Sequence, residues 1–208
     1  MEEESISTIK VVLVGESRTG KTSLLTYIKG EEFQEEPKTT VGASCYNYNT
    51  TYNNKPYTFQ IWDTAGDEKF HSINRYFYKD AAIILMLYDI TDVHSFNQIK
   101  EYWVEEIKTK TNTNPVSFIV ANKSDLFTEE KVPEQDAREL AKIIKSGFGM
   151  ISCKEGTGIK ELMEGMMIMY QKHYVPPDDK DRKNNLVIDS RSYHSSRSRQ
   201  AKSGGCCK

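Results

Sequence analysis

Lys21 and Thr22 are the residues around which the chemistry of this chain gathers. They lie in the stretch IKVVLVGESRTGKTSLL, Ile9 to Leu25, where an apolar run from Val11 to Val14 is followed by Gly15, four spacer residues and Gly20-Lys21-Thr22. Apolar residues then resume at helical spacing. A strand, a glycine-bounded loop and a helix in that order make a phosphate-cradling loop. Gly15 and Gly20 let the backbone turn tightly and aim N–H groups at an anion held on a helix N-terminus. Lys21 would then reach the outer phosphates as a point charge, and the Thr22 hydroxyl would ligate Mg²⁺. A glycine-containing turn with a solvated lysine is the plainer and weaker reading. The loop alone suits an ATPase or a small-molecule kinase equally well, so the base and the reaction must be decided elsewhere.

Two further carboxylates bear on that decision. Asp63 ends an apolar segment in WDTAG, where a strand-end carboxylate at this distance from the loop is expected to hold Mg²⁺ through water. Thr39 and Thr40 lie in a long polar stretch, and a hydroxyl from there could complete the metal shell if the loop folds over the nucleotide, which would make its order depend on the γ-phosphate. Asp125, in Asn122-Lys123-Ser124-Asp125, offers two acceptor oxygens that match the N1–H and N2–H₂ donors of guanine. Adenine would set a lone pair against the same carboxylate, so a site of this kind selects GTP over ATP.

Those residues need a scaffold. The spacing predicts a helix from Thr22 to Lys29 ended by Gly30, a surface loop over EEFQEEPKTTVGAS, and a hairpin of Tyr46–Thr51 with Tyr57–Trp62 around Asn53-Asn54-Lys55. Asp67 to Lys79 reads as loop and short helix. Ala81–Tyr88 and Val116–Val120 are continuous apolar runs, as expected of central strands buried on both faces. Helices are predicted over Ser95–Lys110 with Ser95 as cap, over Pro133–Lys145, and over Gly158–His173, with a short strand at Phe148–Ser152. The methionines of the last helix read as core filling. Alternating strands and helices with one early hairpin give an α/β fold, a mostly parallel sheet of about six strands with one antiparallel edge strand and helices on both faces. In such sheets ligands sit at the carboxyl ends of the strands, where the phosphate loop, Asp63, Asn122 and Ser152 all fall.

Composition sets the outer bounds. The chain has 208 residues and a net charge of −2, so no global field points to nucleic acid. Cys45, Cys153, Cys206 and Cys207 lack zinc-site spacing and suggest a reducing, cytosolic setting, and the two glycosylation sequons, at Asn49 and Asn122, read as accidental. The acidic start MEEESIST has no apolar signal core, and no later apolar run is long enough to span a bilayer. After Tyr174 apolar residues almost vanish, so residues 1–8 are expected to be a flexible N-terminus, 9–174 a folded domain and 175–208 a flexible tail.

GESRTGKT, TTVG, WDTAG, NKSD and SCK occur in the order and spacing of the small Ras-like GTPases, and the match covers residues 9 to 173. FQIWDTAGDEKF, YFYKDA, LMLYDIT and the Cys206-Cys207 ending resemble segments of the Rab family. The resemblance implies a GTP/GDP switch in vesicle traffic, bound to Mg²⁺, with exchange factors, GTPase-activating proteins, effectors and prenyl-binding escort or GDI-type proteins as partners. It implies phosphate contacts from Gly15, Glu16, Ser17, Arg18, Thr19, Gly20, Lys21, Thr22 and Ser23, with Thr40 and Gly66 on the γ-phosphate side. Phe33 would lie at the base edge, Asn122, Lys123 and Asp125 would read guanine, and Ser152, Cys153 and Lys154 would complete the pocket. Thr22, Thr40 and Asp63 would hold the metal.

Cys153 stands where the family usually has alanine, a difference expected to matter little because its backbone N–H is what the pocket uses; three other positions depart from the family pattern. Asp67 stands where glutamine usually orients the attacking water; an ionised carboxylate is shorter, cannot donate, and brings negative charge to a charged phosphate, so slow intrinsic hydrolysis is expected. Lys21, Gly66 and Thr40 would remain to serve the reaction beside Asp67. Arg18 replaces a common glycine, and reads either as a cis charge near the phosphates or as a solvated loop arginine. Cys45 replaces an aromatic that the family joins to the positions of Trp62 and Phe77 in an effector patch; by sequence alone both aromatics would more often be core. In the tail, Gly205 occupies the fourth position from the end, which excludes a single-prenyl ending, while the resemblance implies geranylgeranyl groups on Cys206 and Cys207. Two lipids at about 0.8 kcal/mol per buried CH₂ anchor stably where one does not, which gives a cytoplasmic membrane face with a cytosolic pool as the expected location. The rival readings are a GTP-binding interaction module that hydrolyses negligibly and, disfavoured by NKSD and the tail, a metabolic kinase.

Overall fold

In the computed structural model the chain is described over residues 6–35, 40, 42–66 and 77–174, all within the first of its two units, Met1–Pro176. In chain order the elements are β1 (Ser7–Val14), α1 (Lys21–Ile28), β2 (Ala43–Tyr52), β3 (Lys55–Thr64) and β4 (Ile83–Asp89), followed by α2 (Val93–Gln98), a π-helical turn (Ile99–Trp103) and α3 (Val104–Lys110). The rest are β5 (Val116–Asn122), a 3₁₀ segment (Ser124–Glu129), α4 (Glu134–Ile143), β6 (Gly147–Met150) and α5 (Ile159–His173).

Alternation within the apolar runs builds two cores, one on each face of a single sheet. On β1, Ile9, Val11 and Leu13 point to one face with Leu24 of α1 and Leu162 and Met166 of α5. Val12 and Val14 point to the other, with Phe96, Ile99, Trp103 and Ile107 and with Ala137 and Ala141 of α4. β4 repeats the pattern, Ile83, Leu85 and Leu87 against Ile84, Met86 and Tyr88, and every one of its residues is buried. Each large aliphatic side chain removed from water in this way contributes about 1.5–3 kcal/mol. The sheet order is β2-β3-β1-β4-β5-β6. Only the β2–β3 pair is antiparallel, so the strand that departs from the parallel rule is also an edge strand.

The differences from the sequence-based elements have local causes. β2 begins at Ala43, three residues before the predicted Tyr46, because cross-strand pairing with β3 continues to Ala43 opposite Thr64. The hairpin closes on Asn53 and Asn54, whose φ values of 50° and 60° make the two-residue turn that matches strand twist. The helix expected to start at Ser95 is capped instead by Asp92, whose carboxylate accepts from the His94 N–H at 2.9 Å. Ser95 is fully buried, and its hydroxyl donates to the main-chain oxygen of Asp92 at 2.8 Å. That helix also contains the π turn, at whose end the fully buried Trp103 ring meets Tyr78 edge-on at 6.3 Å. Of the predicted loop and short helix over Asp67–Lys79, residues 67–76 lie outside the described residues. No helix among the described residues is long and apolar enough to cross a membrane.

Candidate functional site

The carboxyl ends of β3 and β5 and the loop after β1 open onto a cleft of about 780 Å³, whose walls include Ser17, Arg18, Gly20, Lys21, Thr22, Ser23, Phe33, Thr40, Gly66, Asn122, Lys123, Asp125, Cys153 and Lys154. The volume falls in the range of small-molecule and cofactor sites. Gly15, Glu16, Thr19, Asp63 and Ser152 stand behind that lining and hold it in place.

The loop between β1 and α1 wraps around the ammonium of Lys21. Its Nζ donates to the main-chain oxygens of Gly15 at 2.8 Å and Glu16 at 2.7 Å, and the side chain is buried. Burial lowers the Lys21 pKa to about 8, with the charges of Asp63 and Glu16 acting in the opposite sense. The Thr19 hydroxyl donates to Glu16 O at 2.9 Å and fixes the bend between them. Gly20, at φ 96°, sits where a Cβ would overlap the side-chain amide of Asn122. Gly66 comes as close from the other side: a Cβ there would lie 2.6 Å from the Ser17 nitrogen and would overlap Lys21 Nζ. Arg18 is exposed on the rim, with φ 65° and no hydrogen bond or ion pair among the described residues.

Three hard oxygens converge beside Lys21. The Thr22 hydroxyl donates to Asp63 Oδ2 at 2.8 Å and lies 2.8 Å from the Thr40 hydroxyl, which is itself 3.3 Å from Asp63 Oδ2. Asp63 is buried at the end of β3, and its second oxygen, Oδ1, has no hydrogen-bond partner among the described residues. Burial raises the Asp63 pKa, opposed by the Thr22 hydrogen bond and the Lys21 charge. Two hydroxyls and a carboxylate with an unused acceptor suit Mg²⁺, which takes oxygen ligands directly or through water. The donor set therefore fits the ion that the sequence pattern implies.

The opposite end of the cleft is a hydrogen-bonded frame. Asn122, at the end of β5, donates from Nδ2 to Thr19 O at 2.8 Å and accepts the Cys153 N–H on Oδ1 at 3.2 Å, tying the phosphate loop, β5 and the β6–α5 connection together. Ser152 donates from its hydroxyl to Asp125 Oδ1 at 2.6 Å and accepts the Glu155 N–H at 3.1 Å, so the carboxylate of Asp125 is held in one orientation. The Cys153 thiol is buried 3.9 Å from Gly20 O, and burial pushes its pKa up to about 12. Lys154 reaches across to Glu35 at 3.2 Å, beside the partly exposed Phe33. Lys123 has φ 67° and pairs with Asp89 at the end of β4.

Sequence reasoning had no reason to select Glu35 or Asp89. The first lies in a polar, non-periodic loop, although the second lies in a quoted motif, YDIT. Of the sequence-predicted residues, Thr39, Asp67, Cys206 and Cys207 lie outside the described residues. Away from the cleft, Trp62 and Phe77 are half-buried with ring centroids 5.4 Å apart, and Cys45 is exposed directly across from Trp62 in the β2–β3 register. Burial raises the Cys45 pKa, so the thiol is not an activated nucleophile.

Known proteins resemble this chain in sequence. The Ras family profile matches residues 10–172. Ras-related protein RABA4d of Arabidopsis thaliana is 33% identical over 204 residues, covering 95% of this chain and 91% of its own. Ras-related protein RabC of Dictyostelium discoideum is 35% identical over 167 residues, covering 79% and 83%, and Ras-related protein Rab-31 of Rattus norvegicus is 35% identical over 175 residues, covering 84% and 87%. A glycine-bounded loop after β1, two hydroxyls gathered on a buried carboxylate and an Asp125 held by Ser152 on one six-stranded sheet, together with these matches, make the chain a member of the Ras family of small GTPases, in its Rab branch.

Proposed function

We propose that this protein is a guanine-nucleotide switch in membrane traffic, with slow intrinsic hydrolysis and an off-step supplied by a partner. The observation that carries the nucleotide reading is the shared frame of the cleft: Asn122 binds the phosphate loop through Thr19 O and the base-side connection through Cys153 N, so one side chain couples both ends of a single nucleotide site. Asp125, oriented by Ser152, supplies the two acceptors that guanine requires. Lys21 and the backbone N–H groups of the loop would stabilise negative charge on the phosphates. Thr22, Thr40 and Asp63 would hold Mg²⁺, which supplies further charge neutralisation. Gly66, lacking a side chain, lies close against Ser17 and Lys21 on the side where a third phosphate would lie.

Slow hydrolysis rests on the residue type at Asp67. With no N–H to donate, an aspartate cannot hold a water as a glutamine does, and its charge opposes that of the phosphates. An activating protein that brings an arginine, worth about 10³ to 10⁵ in rate, would offset the defect. Membrane attachment through geranylgeranyl groups on Cys206 and Cys207, supported by the basic residues of the tail at about 1 kcal/mol each when near an anionic surface, belongs to the same proposal. So do exchange factors, effectors and escort proteins of the GDI type, and a position on the cytoplasmic face of an intracellular membrane with a cytosolic pool.

Single-turnover GTP hydrolysis by wild type and Asp67→Gln, with and without a Rab-type activating domain, tests the reading. Slow wild-type turnover that the domain accelerates supports a cycling switch. Equal intrinsic rates for wild type and Asp67→Gln would refute the role given to Asp67. A wild type inert in both conditions, beside an active Asp67→Gln, makes the protein a GTP-held binding platform.

A further inference from the structure

The cleft wall formed by Lys123 is strained and held from behind. Lys123 takes φ 67° and ψ 37°, a left-handed conformation that is sterically unfavourable for a non-glycine residue. The backbone adopts it where β5 ends and the chain turns back so that Asp125 faces the cleft. Main-chain bonds secure the turn, Leu126 N–H to Lys123 O at 2.8 Å and Ser124 N–H to Ile151 O at 3.1 Å, but they leave the lysine side chain free to choose its direction.

Asp89 settles that direction. It ends β4 opposite Asn122 in the β4–β5 register, one residue from Lys123, and its side chain is 10% exposed against 35% for that of Lys123. Its two oxygens divide the work. Oδ1 accepts the N–H and the hydroxyl of Thr91, both at 2.8 Å, which fixes the carboxylate on its own turn. Oδ2 is left to face Lys123 Nζ at 2.5 Å. The Asp89 N–H is itself tied to the buried Ser95 hydroxyl at 3.1 Å. Lys123 lines the cleft and Asp89 does not, so the lysine is gripped at both ends, by the left-handed backbone and by an anchor behind the wall.

We propose that Asp89 is a positioning residue for the nucleotide site: it holds the stem of Lys123 along the cleft wall and thereby slows nucleotide release, without taking part in reading the base. The inference rests on the guanine-nucleotide reading above. Asp89→Asn keeps an oxygen for Thr91 and replaces the one that faces the ammonium, so it cuts the Lys123 tether and leaves the turn.

The test is a double-mutant cycle on the full chain, reading release of fluorescent GDP in the presence of Mg²⁺. Asp89→Asn and Lys123→Met are each expected to release nucleotide faster than wild type, Asp89→Asn by about 3- to 10-fold, as for a partly exposed charge-assisted contact. Adding Asp89→Asn to Lys123→Met is expected to add nothing further. The preference for GDP over IDP, which lacks the 2-amino group, is expected to stay at the wild-type value in Asp89→Asn and to fall in Asp125→Asn. An unchanged release rate in Asp89→Asn overturns the inference, as does an equal acceleration in the Lys123→Met background, which would mark a purely structural role. If Asp89→Asn does not fold, Asp89→Glu, which moves the carboxylate by one methylene, replaces it in the same cycle with the same criteria. A wild type that binds no fluorescent GDP overturns the guanine reading and the inference with it; one that binds, with the variants unchanged, overturns the inference alone.

Discussion

Raising the pH from 7 to 8.5 is expected to weaken nucleotide binding about fourfold, because a lysine with a pKa near 8 falls from about nine-tenths charged to about one-quarter charged over that interval. The group is Lys21, whose ammonium is buried and, among the described residues, bonded to the neutral carbonyls of Gly15 and Glu16. Those contacts satisfy two of its three N–H donors but supply no counter-charge, and the nearby carboxylates of Asp63 and Glu16 offset burial only in part. A bound polyphosphate restores the missing negative charge and drives the lysine pKa back up, so above pH 8 binding must take up a proton. Affinity therefore falls as pH rises. The nucleotide-free protein shows the opposite sign: between pH 8 and the ordinary lysine range the unfolded chain holds more protons than the folded one, so this group adds stability with rising pH. The assay is fluorescent-GDP titration at constant ionic strength over that pH interval, kept below the ionisation of guanine N1–H. Lys21→Arg, which stays charged throughout, provides the flat control. A flat wild-type profile, or an equal slope in Lys21→Arg, would show that Lys21 is fully charged before the nucleotide arrives and would refute the argument.

Three other outcomes follow from particular atoms. Tyr88 is fully buried and its hydroxyl has no hydrogen-bond partner among the described residues, so Tyr88→Phe is expected to be neutral or to stabilise by about 1 kcal/mol in urea unfolding; a loss of more than that would reveal a partner for the hydroxyl. Arg18→Gly relieves a positive φ of 65° and is expected to raise nucleotide-free stability by about 1 kcal/mol, with a fall in stability as the contrary result. Chelation is expected to speed GDP release from wild type and to have little effect on Thr22→Ala, since the Thr22 hydroxyl belongs to the cluster of two hydroxyls and a carboxylate beside Lys21, and an equal response of the two proteins would remove Thr22 from the proposed metal site.

The sequence by itself determined the elements that are encoded within a few residues. The phosphate loop is legible because glycines at positive φ, a lysine and a hydroxyl must occur at fixed offsets along one turn. The central strands are legible because burial on both faces demands unbroken apolar runs, as in Ile83–Leu87. Patterns weaken where local rules compete. β2 carries alternating tyrosines and polar residues on an exposed edge, so its first residues could not be told from loop, and Ser95 looks like a cap although Asp92 holds that place. What only the tertiary structure decided are the pairings that cross the sheet. Asn122 meets Thr19 across 103 residues, Lys154 meets Glu35 across 119, and Asp89 meets Lys123 because parallel β4 and β5 bring Asp89 level with Asn122. No short-range pattern carries such contacts. They depend on which strands lie side by side and in what register, and that is set by the packing of the whole sheet between its two helical layers.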